Sequence, residues 1–295
     1  LRGVARHQDR LGLGNALLPE HHAEDVDMIM EGGFTTIRLA HYQHNQYFYD
    51  ACDELGFAIW AEIPFISVMS KNPAAHENCR QQMKELIIQN YNHPSIMFWG
   101  VSNEILIGGI SEQLVANHKE LNALCKEMDP TRLTTIAHVS FTPMDGPMHY
   151  ITDTESYNHY FGWYGGKMED NGPWLDNFHA KHPNIPLGVS EYGCEGIITY
   201  HGPEPACRDY SEEYQALYHE HMAKVLDDDI PEPKRWIRGF DSFPVDVIAP
   251  EVAKLAVKGL VSTKNLRRLN ELRKKMGKVQ PLNLTPSSSQ ESNEA

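Results

Sequence analysis

The stretch FWGVSNEILIG, Phe98–Gly108, begins as an apolar strand and stops on Ser102, Asn103 and Glu104. A strand that ends on an amide and a carboxylate, instead of on turn residues alone, delivers reactive groups to one end of a sheet. Its meaning depends on how many other strands end the same way.

Working outward, apolar runs of strand length alternate with amphipathic runs of helix length. Strands are expected at Val4–His7, Thr35–Ala40, Phe57–Ile63, Ile96–Val101, Leu133–Val139, Glu155–Phe161 and Leu187–Ser190. Helices are expected at Leu18–Glu31, Gln46–Leu55, Glu77–Tyr91, Glu112–Met128, Trp174–Lys181 and Tyr210–Leu226. Glycine pairs and prolines punctuate them, as at Gly32-Gly33 and Asp129-Pro130. Repeated βα units imply a parallel sheet, and seven or eight of them in 295 residues imply an α/β fold of the (β/α)8 TIM-barrel type. Arg235–Phe243 reads as an atypical eighth strand, and Glu251–Leu260 as a short helix. The expected organisation is a barrel domain over residues 1–260, a basic helical extension over 261–285 and a disordered, Ser-, Glu- and Asn-rich tail over 286–295.

Composition removes several classes of function. The net charge of -14 repels phosphate backbones, so nucleic acid is not an expected partner. No apolar run reaches membrane-spanning length, and no secretory leader opens the chain. No GxGxxG follows a strand and no GxxxxGK[ST] occurs, which argues against dinucleotide and P-loop sites. Cys52, Cys79, Cys125, Cys194 and Cys207 are odd in number and widely spaced without a CxxC, so they read as reduced structural thiols and lean toward a cytoplasmic protein.

In such barrels the C-terminal strand ends carry the chemistry. Here those ends hold Arg6-His7-Gln8-Asp9, His41-Tyr42, Glu62, Asn103-Glu104, Tyr157-Asn158-His159-Tyr160 and Glu191-Tyr192. Carboxylates, amides, imidazoles and aromatic rings on one rim suit a sugar: polar groups take the hydroxyls and rings take the C–H face. Glu104 and Glu191 are the best catalytic pair, three strands apart. At a separation of about 5–5.5 Å one carboxylate attacks the anomeric carbon while the other protonates the leaving oxygen. A carboxyl beside another carboxylate in a shielded site keeps its proton and serves as the acid. Glu62 reads as an orienting group. The HxxH of His41 and His44 and the HxH of His219 and His221 read as solvated or supporting histidines, and Trp163 and Tyr164 as loop packing or sugar contacts.

GVARHQD (Gly3–Asp9), IRLAHY (Ile37–Tyr42), FYDACDELG (Phe48–Gly56), AEIPF (Ala61–Phe65), NHPSI (Asn92–Ile96), WGVSNE (Trp99–Glu104), YNHYFGWY (Tyr157–Tyr164) and SEYG (Ser190–Gly193) occur in one order over residues 1–225. With them the chain resembles the catalytic barrel of glycoside hydrolase family 2, the β-galactosidase and β-glucuronidase family. The resemblance implies a retaining exo-β-glycosidase with Glu104 as acid/base and Glu191 as nucleophile. It implies sugar contacts at Asp9, His41, Asn103, Asn158, Tyr160 and Tyr164. It also implies upstream β-sandwich domains, so the chain is expected to be the barrel portion of a longer protein.

The spelling HYQHNQYFYDACDELGFAIWAEIPF is most similar to β-galactosidases, and Ala256–Val261 lacks the Asn-x-Lys by which glucuronidases of the family hold the substrate carboxylate. A β-galactoside is therefore expected ahead of a glucuronide. The residues require no cofactor; Mg²⁺ accompanies some galactosidases of the family near the acid/base, but the His ligand some of them carry is not evident here. In place of the family's eighth-strand Trp, this chain reads Gly239–Pro244, so an impaired, sugar-binding barrel is the competing expectation.

Overall fold

The computed structural model describes residues 1–197, 199–227, 236–237 and 240–241. Within them the chain forms the expected parallel barrel. Strands β1 (Gly3–Arg6), β2 (Thr36–Leu39), β3 (Ala58–Glu62), β4 (Ile96–Asn103), β5 (Leu133–Val139), β6 (Thr154–Asn158) and β7 (Leu187–Glu191) pair in sequence order. At the eighth position, β8 (Trp236–Ile237) pairs with β7 and β9 (Phe240–Asp241) pairs with β1, both parallel. The expected helix at 251–260, the extension at 261–285, the tail at 286–295 and the sugar-specificity stretch at 256–261 lie outside the described residues.

Local chemistry explains the helix limits. Helix α1 is Pro19–Glu31, α2 is Gln46–Leu55 and α3 is Pro73–Asn90; α4 is Glu112–Met128, α5 is Asn171–Lys181 and α6 is Glu212–Asp227. The Asn45 side chain accepts from Tyr47 N–H to start α2, and Gly56 ends it in the left-handed conformation at φ 75°. Helix α3 starts four residues before the expected Glu77. Asn72 caps it by accepting from Ala74 N–H, and Pro73 supplies a first-turn residue whose missing N–H costs nothing there. Strand β6 ends at Asn158 instead of continuing to Phe161, which leaves Tyr160 and Tyr164 on the loop above the barrel.

Alternation along the strands sorts the side chains into layers. Ile37 and Leu39 of β2 join the cluster of Val26, Ile29 and Phe48 from α1 and α2, whereas Arg38 between them points into the barrel. A second outer cluster joins Leu187 and Val189 to Phe178 and Tyr218. Inside the barrel, Ala5, Trp60, Phe98 and Ala137 form a small apolar plug. This plug closes the lower interior, and polar groups occupy the level above it.

The plug is tight enough to dictate a glycine. A Cβ on Gly100 of β4 would lie 2.2 Å from Trp60 Nε1 and 2.7 Å from Glu62 Cβ. Gly100→Ala is expected to destabilise the fold by about 1–3 kcal/mol through overpacking, read as a lowered urea midpoint. An unchanged midpoint would show that the plug has slack.

Candidate active site

The polar level above the plug is organised by Arg38. Its guanidinium is fully buried and crosses the barrel. Nε and Nη2 donate to Glu62 Oε2 and Oε1 at 3.0 Å each. Nη1 donates to Glu191 Oε1 at 2.7 Å and to the Ser190 carbonyl at 3.3 Å, and Nη2 also donates to Asn103 Oδ1 at 2.7 Å. The Arg38 carbon Cζ sits 4.8 Å from the centre of the Trp60 ring, so the plug supports the cation from below. Burial alone disfavours the charge on Arg38, but Glu62 and Glu191 reverse that and hold it cationic. Burial likewise pushes Glu62 up, and Arg38 and His41 together pull it below the usual range.

Glu191 ends β7 with both oxygens engaged. Oε1 takes Arg38 and lies 3.5 Å from His41 Nε2, and Oε2 accepts from the Tyr160 hydroxyl at 2.7 Å. His41 Nδ1 lies 2.6 Å from Glu62 Oε1, so Glu62 aims the ring at Glu191. These contacts fix the orientation of the Glu191 carboxyl.

Glu104 follows the last residue of β4 in the left-handed region, at φ 49° and ψ 25°. A non-glycine residue reaches that conformation only when its surroundings impose it. Here the Glu104 N–H donates to the Ala137 carbonyl at 2.8 Å, and its own carbonyl accepts from Ile107 N–H at 3.0 Å. Burial, then the charge of Glu191, push the Glu104 carboxyl up from its ordinary value, against pulls from Asn158, Arg38 and His41. The two carboxyls therefore differ in surroundings: Glu191 is gripped by a cation and a phenol, whereas burial and the neighbouring carboxyl raise Glu104 above its ordinary value.

The amides mesh with this pair. Asn103 Oδ1 accepts from Arg38 and from Asn158 Nδ2, the latter at 3.0 Å, which turns the Asn103 NH2 group away from both. Asn158 is fully buried; its Oδ1 accepts from Ser190 Oγ at 2.7 Å, so its amide braces Asn103, Ser190 and Glu104. Tyr164 is exposed, edge-on to Tyr160 with ring centres 5.0 Å apart.

The structure thus brings together Glu104, Glu191, His41, Asn103, Asn158 and Tyr160. Asp9 is exposed on the β1 rim near His7 and Tyr42, and its carboxylate makes no hydrogen bond among the described residues. Trp163 is buried against Tyr210 and Tyr214, which fits the packing reading. His44 is buried and spent on Arg6 Nη1 and the Ala40 carbonyl, and His221 on the Met168 carbonyl. Among the described residues, the groups of three histidines and acids close enough to share an ion are His138, His149 and Glu155, and Asp50, Asp53 and His93; neither includes Glu104, Glu191 or Glu62. Sequence reasoning missed Arg38. The signal was a charged residue between two core residues of a short strand, a pattern that sends the charge into a barrel interior.

The family pattern of the glycosyl hydrolases family 2 TIM barrel domain matches residues 1–261. The chain belongs to glycosyl hydrolase family 2. It is 42% identical over 239 residues to a β-glucuronidase of Bacteroides fragilis, covering 77% of this chain and 33% of that protein. Its fold superposes on an FMN-binding β-glucuronidase from Facaelibacterium prausnitzii L2-6 with a TM-score of 0.79 and 58% identity, covering 92% of this chain and 43% of that one. A β-galactosidase of Thermoanaerobacterium thermosulfurigenes is 32% identical over 156 residues, 52% of this chain and 19% of that protein. The family 2 chain therefore spans about a third of the curated β-glucuronidase it matches. The ranking of galactoside ahead of glucuronide is reversed by these likenesses: the two proteins named β-glucuronidase match at higher identity and over more of the chain than the β-galactosidase does.

Arg38 balances two buried carboxylates of this family 2 barrel, so its removal strands both. Arg38→Met is expected to cost about 3–5 kcal/mol in a denaturant titration. Adding Glu62→Gln to Arg38→Met should cost less than the sum of the single changes, because the stranded charge is removed. Strict additivity would mean that the two side chains are not coupled.

Proposed function

We propose that this barrel is the catalytic portion of a retaining exo-β-glycosidase acting on β-glucuronides. The observation that carries the mechanism is the contrast in surroundings of the two strand-end carboxyls. Arg38 and Tyr160 grip the oxygens of Glu191 and orient it for attack, while burial and the charge of Glu191 raise the Glu104 carboxyl, which favours its proton-donating form. In the first step, a Glu191 oxygen bonds to the anomeric carbon as the glycosidic C–O bond breaks. The Glu104 proton passes to the departing oxygen. In the second step, Glu104, now a carboxylate, takes a proton from water; the water oxygen bonds to the anomeric carbon and Glu191 leaves. The Asn103 NH2 group and His41 border Glu191 and are suited to sugar hydroxyls. A hydrogen bond there that tightens in the transition state lowers the barrier. The glucuronide reading rests on the likeness to the B. fragilis and F. prausnitzii proteins.

The test is hydrolysis of p-nitrophenyl β-D-glucuronide and the matching β-D-galactoside, with product anomers followed by NMR. Faster turnover of the glucuronide with retained configuration is expected. Preference for the galactoside would overturn the substrate reading. Inversion would overturn the double displacement. A folded protein that binds either sugar without turnover would favour the impaired barrel. Glu191→Gln should lower the rate at least about a thousandfold, equivalent to about 4 kcal/mol of barrier.

The raised carboxyl of Glu104 sets a sign for the pH dependence. The proton-donating form is present below its pKa, so kcat/KM with alkyl glycosides should fall as pH rises through that value. Glu104→Gln should cost about 10²–10⁴-fold with alkyl leaving groups, and less with p-nitrophenolate, which leaves without a proton. Equal losses with both leaving groups would remove Glu104 from the acid role.

A further inference from the structure

The layer between β5, β6 and α5 holds a polar cluster that the glycosidase chemistry does not use. His138 of β5, Glu155 of β6 and His149, on the segment joining these strands, are all buried. Glu155 Oε2 meets His149 Nδ1 and lies 3.4 Å from His138 Nε2. One donor atom from each residue lies within 4.8 Å of the others. Aromatic rings enclose the group: His138 lies 5.0 Å from Tyr157 and His149 lies 5.7 Å from Phe178, centre to centre.

Two features distinguish this cluster from an ordinary buried ion pair. First, the wholly enclosed His138 Nε2 has only the 3.4 Å approach of Glu155 Oε2, short of hydrogen-bond geometry, and neighbouring Tyr157 Oη makes no hydrogen bond. A nitrogen enclosed in an apolar layer with so poor a contact is costly. Second, the outer contacts are already arranged as supports. His149 Nε2 donates to the Pro143 carbonyl at 3.0 Å, which leaves Nδ1 as the nitrogen turned toward the carboxylate. Tyr150 N–H donates to Glu155 Oε1 at 2.6 Å, which leaves Oε2 turned inward. Such outward bonds fix the tautomer and rotation of metal ligands. His182 is a neighbour but not a fourth member: its nitrogens are spent on Tyr150 Oη at 3.0 Å and the Met144 carbonyl at 2.5 Å.

We propose that His138, His149 and Glu155 form a buried binding site for a divalent transition ion of the zinc type. Two imidazole nitrogens and one carboxylate oxygen are a recurrent donor set for zinc, with bonds of about 2.0–2.2 Å and a further position for water. The 3.4 Å between Glu155 and His138 matches the edge of a tetrahedron with bonds of about 2.1 Å. Binding would require the close His149–Glu155 contact to open as the ion replaces the proton between them. The ion would tie residues 140–153 to β5 and β6. That segment includes Ser140, whose hydroxyl donates to the Asn158 carbonyl at 2.5 Å, so the tie bears on the amide network beneath the catalytic pair.

The test titrates zinc chloride into the chelator-treated protein, counts retained metal after gel filtration, and records the visible spectrum of the cobalt(II) form. One retained zinc per chain, a raised thermal midpoint and a four-coordinate cobalt spectrum are expected. His138→Gln and His149→Gln should each weaken binding at least about tenfold and abolish the zinc-dependent rise in midpoint. His138→Gln is the decisive variant, because its Nε2 has only the 3.4 Å contact with Glu155 to lose, and it serves even if His149→Gln does not fold. Wild-type protein that retains no zinc, or zinc retention unchanged by His138→Gln, would overturn the proposal.

Discussion

One guanidinium in the dry interior sets the terms for the rest of the barrel. Arg38 enters from β2 and reaches β3, β4 and β7, so it links the strands that carry Glu62, Asn103 and Glu191. A charge in that position is tolerable only because two carboxylates and several carbonyl-type oxygens surround it. The converse holds for Glu62, whose buried carboxyl Arg38 and His41 pull below the usual range. Catalytic geometry and core electrostatics are thus the same set of contacts.

This arrangement divides labour between neighbouring residues of similar type. Glu62 and Glu191 share the cation, but Glu62 is closed in by Arg38 and His41, whereas Glu191 keeps one oxygen on Tyr160 at the mouth. Asn158 and Asn103 differ in the same way. The first is spent on supports; the second has its oxygen fixed and its NH2 turned outward. A site built like this presents few uncommitted polar groups, each with an orientation set from below.

The barrel was readable because its signals are periodic and local. Helices α2 and α4 occupy the residues expected from apolar spacing and from Gly56 and Asp129-Pro130, and in the structure Asn45 and Ser111 cap their starts. Helix α3 was read late because the Asn72-Pro73 start precedes the apolar face and carries no periodicity. Strand β6 was read long because Tyr160 and Phe161 look like strand residues, yet they belong to the loop that covers Glu191. For the site, strand-end position pointed to Glu104 and Glu191. It could not separate Asn158, which braces, from Asn103, which faces outward, since both are amides at strand ends. Asp9 shares the rim but, among the described residues, not the hydrogen-bond network, a distinction that residue type alone does not make. The galactoside expectation was argued from the spelling of residues 41–65 and from residues 256–261, and the likenesses back the glucuronide alternative better.

The twisted backbone at Glu104 sets two demands on one position. Asparagine and aspartate enter left-handed conformations more readily than glutamate does, so local comfort favours a shorter side chain. A side chain one methylene shorter would withdraw the proposed proton donor from the leaving oxygen. Selection for thermal robustness alone would therefore drift this position toward Asn or Asp, whereas selection for the proposed turnover keeps a residue that its own main chain tolerates poorly.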